Sequence, residues 1–287
     1  MDSKIHSTRN RIASVVQFVI TMVIFLFLFF MFPFYMVVLN SFKSKRDIVK
    51  TPLAWGGKRG FTLDNYAEAF QKMDFLHVLG NSFIVTCTSV ALIILFSSMC
   101  AYIFVRRNWK INKILYALML FSMVIPFQVV MIPLISIYGG MFGMLNHRPT
   151  LIFMHVGFSM AMAVFMYYGF IRGSIPISLE EAAEIDVASR ARTFFTIVLP
   201  LLKPTTATLI ILYALALWND YLLPSLILTG KELYTIPIAT KLFQGAYGNS
   251  MDLLMAALVM AIIPVIILYL ALQKYIIAGV VAGAVKS

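Results

Sequence analysis

The sequence predicts an all-α polytopic membrane protein with six transmembrane helices, both termini in the cytoplasm (N-in/C-in), and a cytoplasmic helix between helices 4 and 5. Three observations predict it. Hydrophobic residues fill 61% of the 287 positions and the mean hydropathy is +0.90, against roughly 45–50% apolar content in a soluble domain. Apolar stretches long enough to cross a ~30 Å hydrocarbon layer, which takes ~20 helical residues, recur along the whole chain. The longest polar interruption in the apolar second half, residues 176–204, separates the fourth stretch from the fifth.

The spans fall at about 15–39, 79–105, 112–138, 150–171, 205–228 and 253–278. The first follows Lys4, Arg9 and Arg11; it exceeds the ~7–15 residues of a signal-peptide core and no A-x-A site follows, which predicts an uncleaved span. With the N-terminus inside, thirteen of the 23 Lys and Arg residues lie on the cytoplasmic side. Seven of the rest lie in the outer loop 40–78, where Asp47, Asp64, Glu68 and Asp74 are interspersed. So long a loop reads as a small folded segment, and with it set aside the charge bias gives the orientation. Within it Leu63, Tyr66, Ala67 and Phe70 recur at helical spacing behind Thr62, a face for the membrane surface, for a docking partner, or for the loop's own neighbours. Pro33, Pro126, Pro133, Pro224 and Pro264 punctuate the spans; the backbone carbonyls they free are tolerated beside a cavity, which favours a transporter over a passive anchor. Ser97, Ser98 and Gly169 suit close helix contacts.

The net charge of +11 comes from Lys and Arg in short loops rather than on one face, so it reads as a topology signal and not as a nucleic-acid surface. Cys87 and Cys100 lie thirteen residues apart on one span, ~20 Å at ~1.5 Å per residue, beyond the reach of a disulfide. The four histidines, at 6, 77, 147 and 155, form no metal-ligand spacing, and His155 reads as a packing residue.

In the polar stretch, Ser178 followed by Glu181 reads as a capping box, and Glu180 and Glu181 suit a helix N-terminus. Ala182, Ala183 and Ala188 give that helix a small-residue surface open to close approach. In the fifth span Asp220, ~22 Å from its start at ~1.5 Å per residue, is an intramembrane acid and hence a candidate site. Trp218, Asn219 and Asp220 together offer an aromatic platform, an amide and a carboxylate, which suits a sugar; an interfacial Trp and a structurally paired Asp remain open. Gln128, between Pro126 and Pro133, lines a path or bonds a freed carbonyl. Asn81 and Ser82 read as caps of the second span. No G-x-S-x-G, H-E-x-x-H or G-x-x-x-x-G-K-[ST] occurs, so no catalysis and no ATP hydrolysis are expected of this chain.

The stretch EEAAEIDVASRARTFFTIVLPLLKP, Glu180 to Pro204, resembles the EAA loop of bacterial ABC importer membrane subunits: Glu181, Ala182, Ala183, Asp186, Ile197, Leu199 and Pro200 match, while the family's glycine is Val187. NSF at 81–83, CAYIFVRR at 100–107, IP at 125–126, WND at 218–220 and QKYIIAGVVAGAVK at 273–286 resemble the carbohydrate branch, in the mould of the second maltose-type permease. The resemblance implies a heterodimer with a second permease subunit in the bacterial cytoplasmic membrane. Two ATPase subunits would bind ATP and Mg, leaving no cofactor in this chain, and an extracellular or periplasmic sugar-binding protein would deliver substrate. It implies docking on the ATPase through Glu180, Glu181, Ala182, Ala183, Asp186 and Val187, and a C-terminal tail reaching between the ATPases. Membrane lipid surrounds such a subunit, and nucleic acid has no part. An L-residue with positive φ costs ~1–2 kcal/mol, so at Val187 either the helix continues or the turn is built differently. Import of another small solute, or a proton-coupled carrier using Asp220, are the alternatives.

Overall fold

The computed structural model describes residues 2–56, 60–185, 189–245 and 248–284; Asp186 and Val187 lie outside them. Apart from the connecting loops, the described residues are helical but for one antiparallel pairing of Gln244–Gly245 with Gly248–Asn249. They form two units, residues 1–72 with 243–260, and 73–242 with 261–287.

In the first unit, α1 (Asp2–Ser41) carries the apolar span Ser14–Ser41, and every residue from Ser14 to Tyr35 is exposed. Its C-terminal carbonyls need partners, and the segment that follows supplies them. Asn65 Nδ2 donates to Ser41 O at 2.8 Å and to Lys43 O at 3.0 Å, while Ser41 Oγ and Tyr66 OH lie 2.6 Å apart. Ser44 caps the short α2 (Lys45–Lys50), and the buried Lys43 reaches over its end to donate to Thr51 O at 3.2 Å and Pro52 O at 3.1 Å. Burial pulls the Lys43 pKa down against the opposing pull of Asp47. The loop is thus a folded segment around α3 (Asp64–Lys72). Its inward face is made by the buried Asn65 and Ala69, while Leu63, Ala67 and Phe70 of the apolar stripe are exposed, so these three do not form the loop's own core. The reason is polar. Satisfying the end of α1 requires an amide, so Asn65 turns inward and rotates the apolar stripe out.

In the second unit, α4 (Phe75–Arg106) and α7 (Arg148–Ser174) are long, unbroken spans and form its most extensive helix pair. Ser89, Ile93, Ser97 and Ala101, four residues apart on α4, are fully buried, as are Ala163, Val164, Tyr167 and Ile171 on α7. Small side chains allow the backbones to approach closely where lipid provides no hydrophobic drive between helices.

The third and fifth expected spans are each broken. Between α5 (Lys110–Ser122) and α6 (Phe127–Leu134), extended by a π-helical turn Ile135–Met141, the axis bends by 100°. Pro126 has no N–H to continue the ladder and stands extended, at ψ 137°, as the cap of α6. In the fifth, α11 (Lys203–Trp218) stops at Asn219, and the chain restarts as a short helix from Leu222 to Ile227. The described residues hold four helices long and apolar enough to cross a membrane, or up to six spans if two bent pairs, Lys110–Ser122 with Phe127–Met141 and Arg190–Leu201 with Lys203–Trp218, are each one.

Asn65→Ala, which strips two carbonyls of their partner, is expected to destabilise the protein by about 1–3 kcal/mol. The exposed Glu68–Lys72 pair, 2.6 Å apart, is a control, since such pairs contribute ~0.3–0.5 kcal/mol. Thermal midpoints in detergent measure both; equal shifts for Asn65→Ala and Glu68→Ala would contradict the assignment.

Candidate functional site

The polar stretch forms a compact assembly at the ends of α4 and α7. After α7 the chain turns at Pro176–Ile177 into α8 (Ser178–Ile185). The first full-turn bond of α8 runs from Glu181 N to Ile177 O at 3.1 Å. Ser178 is therefore inside the first turn, one position past the cap that a capping box needs. The box expected from the sequence is replaced by a backbone start at Ile177.

The two adjacent acids separate. Glu181 is exposed with Ala182, and Ala183 is buried. Glu180 points inward: its Oε1 accepts from Arg106 Nε at 2.7 Å and its Oε2 from Tyr102 OH at 2.8 Å. Arg106 also donates from Nη2 to Ile175 O at 2.8 Å, the carbonyl that ends α7. Only 14% and 11% of the Arg106 and Glu180 side chains are exposed, so removing either partner leaves a mostly buried charge uncompensated. Beside this pair, a cleft of about 480 Å³ is lined by Trp109, Glu181, Arg190 and Phe195 among others. The Arg107 guanidinium lies 5.6 Å from the Trp109 ring centroid.

From Ser189, whose Oγ caps α9 (Arg190–Thr193), the chain returns through a π-helical turn Phe194–Val198 and α10 (Leu199–Leu201). The Phe194 ring packs 5.1 Å from that of Tyr102. A bend of 73° then leads into α11. The geometry at Val187 lies outside the described residues.

The second candidate set does not converge. Trp218 is buried, and Asn219 is exposed with its Nδ2 donating to Leu215 O at 2.8 Å across the end of α11. Asp220 is held on both oxygens: Oδ1 accepts from Leu222 N at 3.1 Å, starting α12 (Leu222–Ile227), and Oδ2 lies 3.2 Å from His155 Nε2. The other ring nitrogen of the buried His155 is 3.5 Å from Ser89 Oγ. The helix ends at Trp218, and the side chains of Asn219 and Asp220 bond the backbone on different sides of the break. Gln128 is exposed on α6.

Asn81 and Ser82 serve a purpose other than capping, since α4 begins a turn and a half earlier, at Phe75. Asn81 Nδ2 donates to Glu232 O and Tyr234 O, both at 2.9 Å, and Ser82 Oγ accepts from Ile236 N at 2.8 Å. Asn146, at φ 62°, accepts from Thr229 N at 3.0 Å and Gly230 N at 2.7 Å. The segment 229–236 is thereby pinned to the ends of α4 and α7. Among the described residues no cluster of three or more His, Cys, Asp or Glu is placed to hold a metal ion.

Residues 93–281 match the family described as "Binding-protein-dependent transport system inner membrane component". The chain is 42% identical over 254 residues, covering 88% of it and 91% of the relative, to the "Probable starch degradation products transport system permease protein AmyC" of Thermoanaerobacterium thermosulfurigenes. It is 39% identical, with the same coverage, to the "Melibiose/raffinose/stachyose import permease protein MelC" of Bacillus subtilis. Its fold is similar to that of a chain in the crystal structure of a bacterial ABC transporter involved in import of the acidic polysaccharide alginate, with a TM-score of 0.74 at 23% identity over 92% of this chain and 96% of that one. A described assembly of long paired spans, bent spans and an intervening polar helix, matched by the family model over the stretch that builds it, places the chain among the binding-protein-dependent transport system inner membrane components.

Proposed function

We propose that this chain is a permease subunit of an ATP-driven importer of sugars or oligosaccharides in the bacterial plasma membrane. The observation that carries the reading is α8, a short polar helix tied down through Glu180 while Glu181 and Ala182 stay exposed. Small and acidic side chains on such a helix invite close approach by another protein. Relatives at 42% and 39% identity named for starch degradation products and for melibiose, raffinose and stachyose support an oligosaccharide as cargo.

In this reading α5 with α6 forms one span and α11 with the short helix after it another, the six spans run N-in/C-in, and α8 lies in the cytoplasm. Glu181, Ala182, Asp186 and Val187 face an ATPase subunit, and Glu180 and Ala183 hold the helix from behind. Two ATPase subunits bind ATP and Mg, a second permease completes a heterodimer, and an external sugar-binding protein delivers cargo. This chain contributes shape and movement rather than bond chemistry: ATP shifts a balance between two arrangements of packed helices. Asn219 and Gln128, both exposed, are the path residues; Asp220, fixed by His155 and Leu222 N, orders the break between α11 and α12 beside that path. A proton-coupled carrier is the second reading, favoured by one observation, the 26% exposed Asp220 side chain against His155.

Co-purification tests the proposal. Expressed with its neighbouring gene products, the chain is expected to retain an ATPase, and Glu181→Lys to release it while the membrane subunit stays monodisperse. Retention unchanged by Glu181→Lys would remove α8 as the docking element. For the break, His155→Ala and Asp220→Ala are expected to be non-additive in thermal stability, with a coupling of about 0.5–3 kcal/mol. Strict additivity would show that the two side chains act independently.

A further inference from the structure

We infer that Arg106, Glu180 and Tyr102 form a clamp that makes α8 and the end of α4 move as one body. Movement of α8 then enters the α4–α7 core directly, not only through the chain connections at the two ends of the polar stretch. The inference rests on the proposed docking of an ATPase on α8.

Four observations carry it. First, among the described side chains of α8, Ser178, Leu179, Glu181 and Ala182 are exposed, so Glu180 and the small Ala183 are what face inward. Glu180 alone among them makes directional bonds, at 2.7 and 2.8 Å, and both run to α4. Second, Arg106 bonds Ile175 O at 2.8 Å with the same guanidinium. The planar fork therefore fixes the angle between the end of α7, the start of α8 and α4, which a point charge would leave free. Third, the returning segment meets the same place, because Phe194 packs 5.1 Å from the Tyr102 ring and leads through the π-helical turn into the 73° bend before α11. Fourth, the cleft of about 480 Å³ beside Trp109 and Phe195 leaves α8 without packing on that side. Without the clamp α8 has room to tilt while α4 stays still.

Arg106 and Glu180 are thus positioning residues for energy transfer, distinct from Glu181 on the exposed face. On α4, the fully buried residue nearest the clamp is Ala101, which lies in one core cluster with Ala163, Val164, Tyr167 and Ile171 of α7. A rigid shift of Arg106 must therefore move that cluster.

The test uses the complete complex of this chain with its second permease and ATPases in proteoliposomes, with its binding protein and cargo. Glu180→Gln keeps the shape and the Tyr102 bond but removes the charge; Arg106→Lys keeps the charge but removes the fork. Both are expected to retain the ATPase and cargo affinity, with an unchanged KM for uptake. Each is expected to lower the ratio of cargo imported to ATP hydrolysed by about five- to tenfold or more, the size of an ordinary coupling between sites. The charge-exchanged pair Arg106→Glu with Glu180→Arg is expected to recover part of that ratio relative to either exchange alone. A wild-type ratio in Glu180→Gln and Arg106→Lys overturns the inference. So does loss of the ATPase in Glu180→Gln, which would make Glu180 part of the docking surface. Failure of the unsubstituted chain to retain any ATPase is a separate result: it overturns the proposed function, and the clamp with it.

Discussion

The seam between α4 and α7 is the contact on which the second unit depends. In a hydrocarbon layer an apolar side chain gains little by leaving lipid for another helix, so helices associate by close packing and by a few polar bonds. Ser89, Ser97, Ala101 and Ala163, all fully buried, let the backbones approach. Larger residues, Ile93, Val164, Tyr167 and Ile171, fill the space between them in one cluster with Phe194, Val198, Leu202 and Leu209 from the return segment and α11. Polar ties mark out the seam along its length. Asn81 and Ser82 hold the segment 232–236 at one end of α4. Ser89, His155 and Asp220 join α4, α7 and the α11 break in the middle, and Tyr167 OH meets Thr206 Oγ1 at 2.7 Å. Arg106, Tyr102 and Glu180 close the other end.

Backbone satisfaction explains where the spans break. A helix interrupted inside lipid must find partners for its free carbonyls and amides. At the α11–α12 break Asp220 accepts from Leu222 N and Asn219 Nδ2 bonds Leu215 O, so the WND residues supply the replacement bonds themselves. At Pro126 the helix simply restarts, and the π-helical turn Ile135–Met141 takes up the register after Pro133. Breaks of this kind are where a packed bundle changes shape with few bonds remade, which suits a subunit whose proposed work is movement.

Composition, the apolar runs and the polar stretch were legible in the sequence because they are properties of segments: an apolar run is the same run whatever it packs against. The helix α3 in the segment after the first span and the short helix after Pro176 were legible for the same reason. What could not be read were pairings between distant segments. Glu180 and Glu181 are indistinguishable in the chain, and only the arrival of Arg106, 74 residues away, turns one inward. Arg106 lay in the CAYIFVRR stretch, whose signal was resemblance rather than chemistry. His155 read as a packing residue because its partner Asp220 is 65 positions distant. Asn65 was passed over on α3 because an amphipathic stripe counts apolar residues, while the end of α1 required an amide.

The proposed drive by ATP through a clamped polar helix separates from the proton-coupled alternative in one measurement. Cargo uptake is followed in proteoliposomes holding the complete complex and its binding protein, with ATP and Mg supplied and the proton gradient collapsed by a protonophore. Uptake is expected to run at an undiminished rate and to stop when ATP is withheld. Uptake that persists on a proton gradient alone, without ATP, would contradict that drive.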